Sequence, residues 1–269
     1  GGSAFLIYGL IIGCAAITII TLGMCELSSA YVTAAGQYHW VYIVSRRDMA
    51  KFASFFTGWM NVFGWWMAIS SLVLFCSTCV TGMAKLWHPD YSIEKWHTYM
   101  CYLGIIALIV FLNAGTPALL PKLNIFSLYL SIGSFIISLI VILSMATPNY
   151  NTAKFVFTDT KNLSGWSNNG IAYLLAIGNT MYPFIGTDAP AHLSEELDKP
   201  ERNVPKAMLM SLAIGLCTGL PFAIALMFVM KDKLAVLNSD TGLPFLEIIY
   251  QATESRSATT GLGALVLTC

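Results

Sequence analysis

Charge along this chain falls in clusters and leaves long stretches with none. Asp, Glu, Lys and Arg are absent from 1–25, 52–84, 96–121, 123–153, 162–187, 207–230 and 257–269. A helix needs about 20 apolar residues to cross the hydrocarbon core of a bilayer. The first six runs meet that length, and the seventh ends with the chain. The runs are continuously apolar and do not alternate, which excludes the polar-in, apolar-out strands of a membrane β-barrel. The pattern predicts spans at 4–29, 52–84, 99–119, 125–146, 169–193, 207–230 and an incomplete one at 257–269. The fifth is expected to break near 183–190. The stretch 52–84 is too long for a perpendicular helix and must tilt or project. Between spans, 37–45 reads as an amphipathic piece and 244–252 as a short surface helix. Pro205 is expected at the entry to the sixth span and Pro221 as a kink within it. The expectation is an all-α membrane protein, 1–269 forming one transmembrane domain truncated at both ends.

Composition sharpens the class. Only 10% of residues are charged and 57% are hydrophobic, against about 25% charged in a soluble domain. The net charge is zero, so nothing calls for a nucleic-acid partner; the bilayer is the expected surrounding. Cys76 and Cys79 form a CxxC inside a predicted span with no second pair. They read as small apolar core residues, and neither a metal site nor a cofactor is expected. The basic residues split evenly between the two sides if helices alternate, so their count does not orient the chain. Three of the four arginines (Arg46, Arg47, Arg202) share one side, and that side is taken as cytoplasmic. The one sequon, Asn162-Leu163-Ser164, makes Asn162 a glycosylation candidate on the other side.

The segment 182–206 carries the most chemistry. Pro183, Gly186, Asp188 and Pro190 lie close together at the end of an apolar run. Proline lacks an N–H and glycine gains no packing, so a helix breaks there. A break at membrane depth must face protein or a water-filled cavity, because lipid cannot satisfy the freed backbone. An acid in such a break is costly and marks a functional position. Broken helices of this kind form solute sites in transporters. Asp188 also has the position of a helix cap before Ala189-Pro190, which is compatible with that role. Gly186 would let a solute approach the backbone, and Phe184 either closes over it or packs in the core. Ile185 and Thr187 flank the glycine, while Asn179 and Tyr182 sit on the preceding half-helix as candidate hydrogen-bond donors. Trp65 and Ser70 in the second span are candidate cavity-lining residues, with Gly58 and Gly64 read as helix-packing positions. His192 and Glu196, four apart, read as a helix-end ion pair. Glu26 is expected exposed at the end of the first span.

These residues resemble a known family. The stretch FIGTDAP followed by SEELDKPERNVPKAM is similar to the broken sixth helix and following loop of amino acid–polyamine–organocation transporters. The matching residues are Phe184, Ile185, Gly186, Asp188, Glu195, Glu196, Pro200, Arg202, Val204 and Pro205. ELSSAYVTAAGQYHW resembles the family's segment after its second helix, through Glu26, Leu27, Ala30, Gly36, Gln37 and Tyr38. Val32 and Ala35 depart from a usual proline and glycine there. The Gly58-Trp59 and Gly64-Trp65 pattern is a third point of similarity. The resemblance implies an inverted-repeat fold with broken helices, of which this chain covers about helices two to eight. It implies a solute bound between two broken helices, the first upstream of Gly1. It also implies that Glu195, Glu196, Pro200, Arg202 and Pro205 form a cytoplasmic motif. The wording TDAPAHLSEE and the GWxxxxGWW spacing resemble the fungal choline and 4-aminobutyrate permease branch.

The function expected is secondary transport of an amino acid or related amine (choline, 4-aminobutyrate or a polyamine), coupled to H+, in a plasma or vacuolar membrane. A seven-helix receptor and an intramembrane enzyme are the alternatives. The receptor would show an Asp-Arg-Tyr type signature, and the enzyme a nucleophile–base pair at depth. The sequence offers neither, and no catalytic residue is assigned.

Overall fold

The computed structural model describes residues 2–162 and 165–268; Leu163 and Ser164 of the sequon lie outside them. The helices in chain order are α1 (Ser3–Ala30), α2 (Gln37–Val44), α3 (Ala50–Trp87), α4 (Lys95–Gly115), α5 (Leu120–Ala146) and α6 (Ala153–Thr158). They continue with α7 (Asn169–Thr180), α8 (Ala189–His192), α9 (Pro200–Val229), α10 (Lys233–Leu237), α11 (Pro244–Thr253) and α12 (Arg256–Thr268). No strand occurs among the described residues. Among the described residues, five stretches are long and apolar enough to cross a membrane: α1, α3, α4, Pro117–Ala146 and α9.

Helix boundaries follow local chemistry. α4 ends before Thr116-Pro117, where the residue preceding proline is pushed out of the helical region. A single 3-10 turn, Pro117–Leu119, then leads straight into α5. α9 begins at Pro200, which holds the proline-tolerant first turn. Pro205 and Pro221 therefore both lie inside the helix, and the placement of Pro205 at the helix start is corrected. The two helix-interior prolines each remove one backbone hydrogen bond.

The chain divides into two compact units. The first comprises 1–68 and 154–223. Its axis is α1, whose buried positions Ile7, Leu10, Cys14, Thr21, Cys25 and Ser28 recur at helical spacing on one face. Gly9 and Gly13 sit one turn apart on α1, against α7. A Cβ at Gly9 would lie 3.2 Å from Thr180 Oγ1, and one at Gly13 would lie 3.2 Å from Met181 Cγ. Bare glycines thus let the α1 and α7 backbones approach, as small-residue pairs do between membrane helices. Of the two glycines expected to pack helices, Gly58 lies near Tyr38, whereas Gly64 has no atom within 4 Å. A stripe of aromatic residues on α3 (Phe55, Trp59, Phe63 and Trp66) makes successive ring contacts, edge-on or tilted, with centroids 5.7–6.3 Å apart, on an exposed face.

The second unit comprises 69–153 and 224–269. Here α5, α11 and α12 pack together. α11 buries Leu246, Ile248, Ile249, Ala252 and Thr253, so the surface-helix reading of 244–252 is corrected. Its apolar residues form one stripe, and the stripe is covered. Asn151 closes the end of α9: its Nδ2 donates to the Met227 and Met230 carbonyls, and its amide donates to Phe228 O at 2.8 Å. These are helix-end carbonyls that no amide of the helix reaches. In the connection before α12, Lys231 hydrogen-bonds Glu254 and holds its carboxyl below the ordinary carboxylate range. Gly82 on α3 lies under the loop before α11. A Cβ there would sit 2.9 Å from Thr241 O and 3.0 Å from Leu246 Cδ1. Gly82→Ala is therefore expected to cost about 1–3 kcal/mol of stability through overpacking. Gly104→Ala, with no atom within 4 Å, is the neutral control. Thermal unfolding of the full-length protein checks both.

Candidate functional site

The site builds from α7 downward. Asn168 caps the start of α7 by accepting from Gly170 N at 2.8 Å. The helix runs to Thr180 and stops where Pro183 cannot supply the next amide. The chain then makes a 3-10 turn over Tyr182–Phe184 and an extended residue at Ile185. Gly186 follows with φ +88°, and α8 starts at Ala189. Phe184 N and Ile185 N close the turn onto the carbonyls of Met181 and Tyr182, and Ala189 N closes onto Gly186 O at 3.0 Å. The amides of Gly186 and Thr187 and the carbonyls of Phe184, Ile185 and Thr187 make no backbone hydrogen bond among the described residues. The break thus exposes donors and acceptors side by side, at the one position where glycine permits the left-handed turn.

Phe184 is 3% exposed and packs with Leu10, Cys14 and Leu212. A Cβ on Gly215 would stand 3.4 Å from its ring. The ring therefore anchors the unwound segment to α1 and α9. Ile185 and Tyr182 are exposed, Asn179 is exposed, and Thr187 is half-buried. Trp65 comes to the break, with Cη2 3.6 Å from where a Gly186 Cβ would be. Ser70 lies on α3 in the other unit and is exposed.

Asp188 occupies the cap position of α8 but makes no capping hydrogen bond. Its Oδ2 instead accepts from Gln37 Nε2 at 2.8 Å and faces His192 Nε2 at 3.7 Å. The carboxylate is mostly buried, its side chain 15% exposed. His192 Nδ1 lies 2.9 Å from Ala34 O. The expected His192–Glu196 pair is thus corrected: α8 ends at His192, the chain turns through Leu193, and the ring points to Asp188 and the turn before α2. Gly36 makes the approach possible. Its φ is +61°, and a Cβ there would be 3.0 Å from His192 Cε1. Below this cluster, Ala191 packs with Cys25, Trp40, Val204 and Met208.

The motif residues after α8 are peripheral. Glu195 and Glu196 are exposed in the loop, Pro200 opens α9, and Arg202 is exposed in its first turn. Glu26, also exposed, shares with Glu201, Arg202 and Pro205 an open cleft of about 760 Å³. Pro205 O accepts from Cys25 Sγ at 3.6 Å. Asn162 donates to Trp166 O at 2.7 Å and to Asn169 Oδ1 at 3.1 Å. No cluster of three or more His, Cys, Asp or Glu that would hold a metal occurs among the described residues. Gln37 and Gly9 were not read as functional from sequence; the Gly9-xxx-Gly13 spacing was the available signal for the latter.

The model of the amino acid permease family matches residues 1–269. The chain belongs to the amino acid permease family. A choline transporter of Saccharomyces cerevisiae is 35% identical over 267 residues, which is 99% of this chain and 47% of that protein. A protein of Macrophomina phaseolina described as an amino acid/polyamine transporter is 31% identical over 266 residues, 99% of this chain and 58% of its own length. A 7-keto 8-aminopelargonic acid transporter of Saccharomyces cerevisiae is 31% identical over 225 residues, 81% of this chain and 39% of that protein. The permease chain thus spans about half the length of the curated relatives it matches. Its apolar helices and its family make it part of a multi-pass integral membrane protein.

Proposed function

We propose that this chain is the solute-binding part of a secondary permease for a small amine, such as choline, 4-aminobutyrate, an amino acid or a polyamine, in a plasma or vacuolar membrane. The observation that carries the reading is the break at Ile185–Asp188, where unpaired backbone groups lie beside a mostly buried carboxylate and an indole. Free amides suit a solute carboxylate, and free carbonyls suit an ammonium group. The face of Trp65 suits a cation, quaternary ones included. Tyr182 and Asn179 add hydrogen-bonding groups upstream, and Ile185, Gly186 and Thr187 form the floor. The printed names of the relatives, a choline transporter and an amino acid/polyamine transporter, support the solute class. Coupling to H+ fits a site that holds an acid and an imidazole together.

Uptake of labelled choline, 4-aminobutyrate, amino acids and spermidine into cells expressing the full-length protein tests the reading. At least one solute should accumulate. Asp188→Asn should lower its initial rate by about tenfold or more, because a buried charged partner is removed. Unchanged transport in both Asp188→Asn and Gly186→Leu would reject the site.

A further inference from the structure

We infer that Asp188 and His192 together bind one proton, and that this proton latches α8 to the turn before α2. The inference rests on the transport reading for its consequence but not for its geometry. A carbonyl only accepts, so the 2.9 Å contact between His192 Nδ1 and Ala34 O places a hydrogen on Nδ1. In a neutral ring Nε2 would then present a bare lone pair to Asp188 Oδ2, 3.7 Å away. Gln37 holds that oxygen in place from the other side, at 2.8 Å. A lone pair facing a mostly buried carboxylate is unfavourable, and the low polarity of the surroundings strengthens the effect. One added proton converts the contact into an imidazolium–carboxylate pair or its neutral equivalent. The step is simple: Nε2 or Oδ2 takes H+ from water, one N–H or O–H bond forms, and nothing is oxidised or reduced.

The surroundings leave the pair as the dominant charge at this point. From α2 it meets Gln37 and, nearby, Trp40; from α9 the cluster around Ala191 brings Val204 and Met208; from α1 it brings Cys25. Cys25 is the one ionisable side chain among these, and it is donating to Pro205 O. Glu195 and Glu196 lie beyond, exposed in the loop. The latch spans 158 residues of sequence from His192 to Ala34. It ties the short helix below the break to the loop that follows α1. Loss of the proton sets like electron density face to face and strains the two contacts that hold α8, from His192 to Ala34 and from Gln37 to Asp188. Solute and proton occupancy would therefore be linked through the same short segment.

Nitrogen-15 spectra of the full-length protein, labelled at histidine and held in lipid nanodiscs, test the site directly. The parent His192 should show both ring nitrogens protonated under conditions in which the Asp188→Asn variant shows a ring protonated at Nδ1 alone. Elution of the variant as a single peak in detergent would report that it folds. A parent His192 with a bare Nε2 under the same conditions would overturn the inference, whether or not the protein transports. In proteoliposomes, His192→Ala should lose about tenfold or more of uptake driven by a pH gradient. Tracer exchange at equal pH should fall by much less in the same variant. Equal loss of both would overturn the coupling role. A parent that carries none of the solutes would count against the transport reading, while the spectra would still decide the proton site.

Discussion

Gly186→Val is expected to abolish solute uptake by the full-length permease, with a loss of about a hundredfold or more. The reason is local and double. At φ +88° a residue with a Cβ carries strain of about 1–3 kcal/mol, and β-branching raises it. The new side chain also points at Trp65, whose Cη2 is 3.6 Å from the Cβ position, so the two methyls meet the indole. The backbone can escape only by returning to negative φ. That change redirects the chain immediately before Asp188 and pulls the carboxylate away from Gln37 and His192. Gly178→Ala, on α7 with no atom within 4 Å, should transport normally. Initial rates normalised to protein that elutes as a single peak in detergent make the comparison. A Val variant with parental uptake would remove the break from any account of function.

The second large effect is expected at Gly36. Its φ of +61° and ψ of −132° fall outside the regions open to residues with side chains, and Gly36→Ala would place a methyl 3.0 Å from His192 Cε1. Strain of roughly 1–3 kcal/mol is joined by loss of the His192–Ala34 hydrogen bond, about 1 kcal/mol. A clear drop in thermal stability and in transport should follow. The cause can be separated by a double-mutant cycle. In a His192→Ala background the ring is gone, so Gly36→Ala should cost only the backbone strain. An equal cost in both backgrounds would show that the ring contact contributes nothing.

The spans and the break were legible because both are written in consecutive residues. Long uncharged runs specify membrane helices, and Pro183, Gly186 and Pro190 specify where α7 stops and α8 starts. The partners of Asp188 were not legible. Gln37 lies 151 positions away, and nothing in its own neighbourhood marks it as the residue that meets the acid. His192 misled for a related reason. Spacing on a helix face paired it with Glu196, but the helix ends at His192 itself, and the ring is free to turn toward the loop after α1. α9 was placed short because Glu201, Arg202 and Lys206 look like solvated loop. Pro200 at the first turn was the signal that the helix had already begun. The buried stripe of α11 shows the same limit: its periodicity was readable, but which surface covered it was not.

The unwound segment is gripped at its two ends by different kinds of force. Upstream, Gly9 and Gly13 bring α1 close to α7, and among the described residues no side-chain hydrogen bond crosses that seam. Dispersion over such a surface varies gently with position, so α7 can glide along α1 by small amounts at little cost. Downstream, α8 is fastened by directional polar contacts that are either made or lost. Movement along this segment should therefore be graded at its upper end and abrupt at its lower one, with Gly186 as the swivel between slide and catch.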